Sequence, residues 1–200
     1  MAPYDIILIT IMNKTKIAFV FAGRLTKEKW FDMIYNRITS LKLINSQLLH
    51  KFTLDIYGNW PLHDMAQEID RLSPNITYHT QVPFKKIVES IPYFDYNLMP
   101  SIFLETFGLT AIDFALYGVP TIWFAKWWLK KLIIDSTLDI NTYQWESDYD
   151  KFEYCMNYVL DGVDIWKYTD TKNKTLIMYK SYSKDIRLKN FHDIVDTLDK

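Results

Sequence analysis

Glycine, cysteine and net charge are all scarce in this chain of 200 residues. Its single cysteine, Cys155, excludes an intramolecular disulfide and a zinc site built on two or more thiolates. A net charge of −1 supplies no overall field for a polyanion, so we expect no nucleic-acid partner. Hydrophobic residues make up 49% and charged residues 24%, which is typical of a globular chain with a substantial core.

Long hydrophobic runs are also missing from the sequence. The apolar run at residues 4–12 (YDIILITIM) is too short to span a membrane, and no basic segment of the kind found in secretory signals precedes it. We interpret residues 1–15 as a linker or strand remnant. The single cysteine fits a reducing, cytoplasmic location.

What the chain has instead is a repeated alternation of two patterns. Short β-branched and aromatic runs are each followed by a stretch with apolar residues at helical spacing, which predicts a strand and then a helix. Such alternation indicates an α/β fold with a Rossmann-like open parallel sheet flanked by helices, in a single domain over residues 16–200 that ends in carboxyl-terminal helices. The predicted elements are strands at 16–21, 52–57, 76–79, 96–99 and 119–123, and helices at 27–49, 62–72, 84–91, 107–117, 148–161 and 171–198.

The few glycines fall at informative places. Gly23, Gly58 and Gly108 follow or lie near the ends of predicted strands, where a parallel sheet binds its ligands. Glycine at such a position lets backbone approach backbone or ligand closely. Gly118 precedes Val119 and a strand, and we interpret it as a helix cap.

Charged side chains accompany these glycines. Arg24 and Lys29 lie just past the first strand, where two cations are suited to clamp a diphosphate. Glu105 precedes the turn Phe107-Gly108-Leu109, which opens the helix that carries Asp113 and offers free N–H groups to an anion. In a continuous helix the two carboxylates would be about 12 Å apart, too far for a general acid and base pair. Taken singly, each of these residues also fits an ordinary surface position.

Four segments of the chain share their order with a known family. They are FAGRLTKEKW at 21–30, LDIYGNWP at 54–61, ITYHTQVP at 76–83 and MPSIFLETFGLTAIDFALYGVPTI at 99–122. They resemble the patterns G-R-L-x-x-E-K-G, G-x-G-P, G-x-V, and a run with P-S, E-x7-E and G-x-P, which belong to the carboxyl-terminal, donor-binding domain of GT-B glycosyltransferases, the retaining family called group 1 or family 4. The similarity covers about residues 16–125, and the last segment is the most specific.

The resemblance implies a function and a set of site residues. A hexosyltransferase of this family moves a sugar, with retention, from a nucleoside diphosphate sugar to a glycan, lipid or protein acceptor, and needs no metal or other cofactor. Arg24 and Lys29 would hold the diphosphate, and Glu105 would contact the transferred sugar; these three are the expected catalytic residues. The resemblance implies the donor-binding set Gly23, Arg24, Lys29, Gly58, Gln81, Val82, Glu105, Phe107, Gly108, Leu109 and Asp113, with Asp113 on the ribose hydroxyls.

Departures from the family pattern leave alternatives open. Asp113 stands where the family has Glu, while Trp30, Trp60 and Thr80 stand where it has glycine, and we expect the tryptophans to narrow or remodel the cleft. The family's amino-terminal acceptor domain is absent from these residues, so we expect such a domain or a partner subunit to complete the enzyme. A non-catalytic module that binds a nucleotide sugar or a partner is the main alternative. An epimerase of the same architecture is less favoured, and a dehydrogenase less still, because no G-x-G-x-x-G follows the first strand.

Three weaker signals have ordinary explanations. The motif Asp148-Tyr149-Asp150 resembles a metal-binding D-x-D, but acidic residues also favour a helix start, and we interpret it so. The four histidines lack ligand spacing, and only His79 lies near the predicted sheet edge. A stripe of tryptophans and lysines at 123–131 fits a peripheral membrane contact or, more often, a core or interdomain contact.

Overall fold

A computed structural model describes residues 16–100, 109–123 and 148–160. Within these ranges the strands form one parallel sheet in the order β3-β2-β1-β4-β5. Two short 3-10 turns, at Ser46–His50 and Ile91–Tyr93, interrupt the connections. The strands are β1 Ile17–Ala22, β2 Phe52–Tyr57, β3 Ile76–Tyr78, β4 Tyr96–Met99 and β5 Thr121–Trp123; the helices are α1 Phe31–Ile44, α2 His63–Leu72, α3 Phe84–Val88, α4 Leu109–Ala115 and α5 Asp148–Leu160.

The predicted fold class, a Rossmann-like open parallel sheet flanked by helices, is confirmed. Two predicted helices are shorter than the apolar pattern indicates. The helix expected at 27–49 begins only after Trp30, whose left-handed backbone (φ 48°) cannot be part of a right-handed helix. It ends before Asn45, whose backbone (φ −151°, ψ 79°) is not helical. The helix expected at 84–91 stops at Val88, because Pro92 has no N–H to donate to the Val88 carbonyl and its ring would clash with that group; a 3-10 turn at Ile91–Tyr93 follows. The helix expected at 171–198 lies outside the described residues.

Both faces of the sheet are buried, and the alternation along β1 shows how. Phe19 and Phe21 point into a large apolar cluster under α1, α2 and α5, while Val20 points into a second cluster under α3 and α4. Helix α1 contributes Phe31, Ile34, Ile38 and Leu41 to the first cluster, at the spacing of one helical face. The sheet is therefore the middle of three layers, and the loops lie at the ends of its strands.

A buried arginine connects α1 to α5. The Arg37 side chain is 4% exposed and donates a hydrogen bond to Glu153 at 2.5 Å and another to the Asn157 side chain. Lys51 adds a longer contact, 3.4 Å from its Nζ to the Leu160 carbonyl oxygen. These bonds attach α5 to the first face of the sheet.

The strand order reverses direction between β1 and β4. The chain runs outward from β1 to β3, then crosses back to place β4 on the other side of β1. Asp95 fixes this placement, because its carboxylate accepts the Ala18 N–H at 2.7 Å and its own N–H donates to the Ala18 carbonyl at 2.7 Å. Ligands of open α/β sheets bind at the carboxyl ends of strands beside such a reversal.

None of the helices in the part of the chain that the structure describes is both long and apolar enough to cross a membrane.

Candidate functional site

A cleft of about 290 Å³ opens at the carboxyl edge of the sheet, across the ends of β1, β2 and β3 and the side of α4. This is the edge at which the sequence predicts a site. The lining residues that the structure describes are Ala22, Gly23, Arg24, Tyr57, Gly58, Asn59, Gln81, Val82, Phe84, Ile87, Thr110 and Asp113.

The floor of the cleft is held by main-chain hydrogen bonds that continue beyond the strands. The Gly23 N–H donates to the Tyr57 carbonyl at 2.9 Å, and the Gly58 N–H donates to the Thr80 carbonyl at 2.9 Å. Leu25 N–H donates to the Asn59 carbonyl at 3.3 Å. Because backbone atoms make these bonds, the loops after β1, β2 and β3 stay in register whatever their outward side chains are.

Gly58 is the position where this arrangement demands glycine. A Cβ atom built there would lie 2.0 Å from the Gly23 carbonyl oxygen, far inside any allowed contact. A Cβ atom at Gly23 would lie 3.7 Å from its nearest neighbour, so the Gly23 position itself has room for a side chain. The close approach is between the Gly23 carbonyl oxygen and Gly58. The expectation of close backbone approach is thus confirmed at Gly58, and close approach of a ligand to Gly23 stays a prediction.

Gly118 has the role that the sequence predicts. It follows α4 with a φ of 72°, and its N–H donates to the Ala115 carbonyl at 3.0 Å. A left-handed glycine at this position ends a helix without steric cost.

The three residues that replace family glycines share a backbone feature. Trp30, Trp60 and Thr80 have φ values of 48°, 27° and 59°, all in the region that favours glycine. The backbone therefore keeps a glycine-like path at each position although the side chain has changed. Neither tryptophan lines the cleft, since Trp30 packs against the first apolar cluster and Trp60 is 62% exposed. The expectation that these two tryptophans narrow the cleft is wrong, and the expected remodelling stays a prediction.

The two cations after β1 take different positions. Arg24 is exposed and lines the cleft, whereas Lys29 is partly buried and is not among the lining residues. Burial and, to a smaller degree, the positive charge of Arg24 lower the pKa of Lys29 below its usual value. The two cations therefore lie close enough at the β1 side of the cleft to repel each other electrostatically.

Asp113 faces the cleft from α4, on the same side of the sheet as the β1–β4 reversal. Burial raises the pKa of its carboxyl above the usual value. Leu109 begins α4, as expected for the turn that opens this helix. Glu105, Phe107 and Gly108 lie outside the described residues, so the predicted sugar contact and most of the predicted amide site do too.

The opposite half of the cleft, near β2 and β3, is mainly apolar. Val82 and Gln81 were expected there from the sequence, and Tyr57, Phe84 and Ile87 join them. These three, with Ala22, Asn59 and Thr110, were not predicted. Tyr57 and Asn59 flank Gly58 in the segment 54–61, so their place in the cleft could have been predicted from that segment. Phe84 and Ile87 carry no such sequence signal, because apolar residues in a short helix are expected in the core.

His79 does not line the cleft. Its ring lies against the ring of Tyr57, and its Nε2 is 2.5 Å from Asp55 Oδ1. Burial first, and the Asp55 carboxylate second, raise the pKa of the Tyr57 hydroxyl, which therefore stays neutral at physiological pH.

No group of three or more His, Cys, Asp or Glu side chains suited to a metal ion occurs within residues 16–100, 109–123 and 148–160. The D-x-D motif at 148–150 forms the first turn of α5. Its interpretation as a helix start is confirmed.

An open parallel sheet with a glycine-edged cleft beside its reversal point defines a Rossmann-like ligand-binding fold. The family model described as "Glycosyl transferases group 1" matches residues 9–147. The chain therefore belongs to the group 1 glycosyl transferase family.

Solved structures of glycosyltransferases share this fold at low sequence identity. The pneumococcal O-GlcNAc transferase GtfA, solved with UDP and GlcNAc, superposes with a TM-score of 0.67 at 17% identity, over 93% of this chain and 36% of its own. WaaG, a glycosyltransferase of lipopolysaccharide biosynthesis, gives 0.65 at 12% identity, over 93% and 48%. Anabaena Alr3699/HepE, solved with UDP and glucose, gives 0.64 at 15% identity, over 100% and 53%.

A curated relative is closer in sequence. An uncharacterized 41.2 kDa protein in the cps region of Klebsiella pneumoniae is 34% identical over 111 residues, which is 56% of this chain and 28% of the relative. The chain thus spans between about a quarter and a half of the length of the proteins it matches.

Proposed function

We propose that residues 16–200 are the donor-binding domain of a retaining glycosyltransferase. The whole protein would move a hexosyl group from a nucleoside diphosphate sugar to a glycan, lipid or protein acceptor, together with an acceptor domain or subunit. One observation carries the proposal: residues that the family resemblance assigns to the donor, from separate segments of the chain, line one cleft. They are Gly23, Arg24, Gly58, Gln81, Val82 and Asp113.

The polarity of the cleft supports an orientation for the donor. Charge is concentrated near β1 and α4, where Arg24 and Asp113 face the cleft and Lys29 lies close by. Apolar surface is concentrated near β2 and β3, at Tyr57 and Val82. We therefore assign the diphosphate to the cations, the ribose hydroxyls to the Asp113 carboxylate, and the flat base to the apolar half.

This orientation explains how the chain would assist the reaction. When the bond between the sugar and the donor phosphate breaks, the departing diphosphate takes the electron pair and gains negative charge. Cations already fixed near the diphosphate oxygen that leaves the sugar stabilise this charge without reorganising. Such stabilisation is a large source of rate enhancement in group transfer. Arg24 and Lys29 have this role in the proposal, while Glu105 would contact the transferred sugar.

The structural relatives suggest which ligands to test first. GtfA and HepE were solved with UDP, and with GlcNAc and glucose respectively. A uridine donor is therefore the first candidate, and the other nucleobases provide the comparison. We also propose a cytoplasmic location, on the basis of the single cysteine.

Calorimetry with UDP, GDP, ADP and TDP tests the proposal. We expect at least one to bind, with the same affinity in the presence of a chelator, because Arg24 and Lys29 offset the diphosphate charge. Arg24→Ala should weaken binding by about 1.5–3 kcal/mol, as expected for a hydrogen bond to a charged group. Lys27→Ala is the matched control, since Lys27 is an exposed cation on the same loop that does not line the cleft. Failure of all four nucleotides to bind, or binding only with a divalent ion, would contradict the proposal.

A non-catalytic nucleotide-sugar-binding subunit is the second candidate. Asp113 favours it, because the family has Glu at this position and the shorter side chain reaches less far. Nucleotide binding without turnover, even in the presence of an acceptor domain, would select this candidate.

A further inference from the structure

An imidazole and a carboxylate support one aromatic wall of the cleft. The His79 ring stacks on the Tyr57 ring with centroids 4.4 Å apart and an interplanar angle of 8°. At the edge of this ring, His79 Nε2 lies 2.5 Å from Asp55 Oδ1. The three side chains therefore form a continuous unit that ends at the cleft.

Sheet register brings these residues together. Asp55 and Tyr57 are two positions apart on β2 and so lie on the same face of the sheet. Ile56 pairs with Tyr78 on β3, and the His79 N–H donates to the Ile56 carbonyl at 2.9 Å. Because main-chain bonds fix both strands, His79 has a defined place beside Tyr57 before any ligand binds.

Only Tyr57 of this unit faces the ligand space. It lines the cleft and packs against the second apolar cluster, whereas His79 and Asp55 do not line the cleft. Any effect of His79 or Asp55 on a bound nucleotide is therefore transmitted through the Tyr57 ring.

We propose that Asp55 and His79 are positioning residues that hold the Tyr57 ring in place as the wall for the nucleoside part of the donor. This inference rests on the proposed function, which supplies the nucleotide. A ring that is already ordered costs less to immobilise when the ligand arrives, so binding retains more of the contact energy. The apolar half of the cleft thereby acquires a fixed flat surface, which selects ligands that carry a ring over those that carry phosphate alone.

The test measures selectivity as well as affinity. His79→Leu fills the space without a ring, and we expect it to weaken binding of the nucleoside diphosphate that the wild type prefers by about two- to tenfold, the range for loss of one aromatic pair. Affinity for inorganic pyrophosphate, measured by competition, should not change. His79→Phe restores a stacking ring without the Asp55 contact and should recover part of the loss. Asp55→Ala keeps the imidazole ring but also lacks this contact, and should give a similar intermediate loss.

The chain offers a matched control. His63 also pairs with a neighbouring carboxylate, 2.9 Å from Asp64 Oδ1, but it lies on α2 and does not line the cleft. His63→Leu should leave both affinities unchanged. Thermal melting of each variant checks that it folds, and Tyr57→Leu, which removes the wall directly, should reproduce the selective loss if His79→Leu does not fold.

The outcomes separate this inference from the proposed function. Absence of nucleotide binding by the wild type overturns both. Normal binding by the wild type with unchanged affinity in His79→Leu and Tyr57→Leu overturns only the positioning role. An equal loss for nucleotide and pyrophosphate, or failure of His79→Phe to recover affinity, also overturns it, because a merely structural residue would affect both ligands alike.

Discussion

At the scale of single residues, the cleft depends most on Gly58. Replacing its hydrogen by a methyl group places a carbon 2.0 Å from the Gly23 carbonyl oxygen, and both partners are backbone. We therefore expect Gly58→Ala to lower the free energy of unfolding by at least about 2 kcal/mol in urea titrations. Gly23→Ala is the matched control, because its Cβ would meet nothing nearer than 3.7 Å. Equal stability of the two variants would show that the loops are not held as described.

Asp113 gives a prediction that depends on pH. Burial raises its pKa in the folded state, so between the ordinary value of 3.8 and the raised value the folded chain binds more protons than the unfolded chain. Stability therefore falls as pH rises through this window, and the full cost is present above the raised value. We expect Asp113→Asn to be more stable than the wild type at pH 7.

The advantage of Asp113→Asn should shrink as pH falls and vanish below pH 3.8, where both states of the wild type are protonated. Thermal melts across this range measure it. Asp64→Asn, at a side chain that is 86% exposed, should show no such gain. A gain at Asp113 that is the same at every pH would point to packing and not to charge.

At the scale of elements, the loop after β3 is strained at Thr80. A β-branched residue with a φ of 59° pays a steric penalty that glycine does not. We expect Thr80→Gly to raise the free energy of unfolding by about 0.5–1 kcal/mol, after the entropy lost on ordering glycine is counted. Thr77→Gly, also exposed but within β3, should instead destabilise the protein. Denaturant titration of both variants checks the opposite signs.

The order and type of elements could be predicted because they depend on local patterns. β-branched runs such as 17–22 and the apolar face of α1 are visible in the sequence without knowledge of any partner. The start of α1 could not be predicted in this way. The helix begins only at Phe31 because Trp30 has a left-handed backbone, and the tryptophan residue type does not indicate that conformation.

Several lining residues of the cleft could be named from the sequence. Gly23, Arg24 and Gly58 lie just after strands, and Asp113 lies on the helix that follows β4. The stacking of His79 on Tyr57 could not be predicted, because it follows from the register of β2 against β3. Register is a non-local property, decided by how two distant strands bury their faces.

At the scale of the whole molecule, the chain matches only part of each relative, between 28% and 53% of their lengths. A transfer reaction gains much of its rate from holding both substrates in line. We therefore expect the purified 200-residue chain to bind a nucleotide sugar and to transfer no sugar to any acceptor, although slow hydrolysis of the donor is allowed.

Mass spectrometry of mixtures of nucleotide sugars and acceptors measures transfer. The control is a denatured sample of the same chain, which sets the background of donor breakdown. A glycosylated acceptor made by a chain shown to be monomeric would mean that these residues contain a complete active site.

The main-chain bonds beneath the cleft have a practical consequence for protein engineering. Gly23, Gly58 and Thr80 connect the loops through N–H and carbonyl groups, so these connections do not depend on the side chains of Gln81 and Phe84, which line the cleft. A saturation library at Gln81 and Phe84 should therefore yield mostly folded variants. Laboratory evolution toward a new nucleobase can begin at these two positions while Gly58 is kept constant.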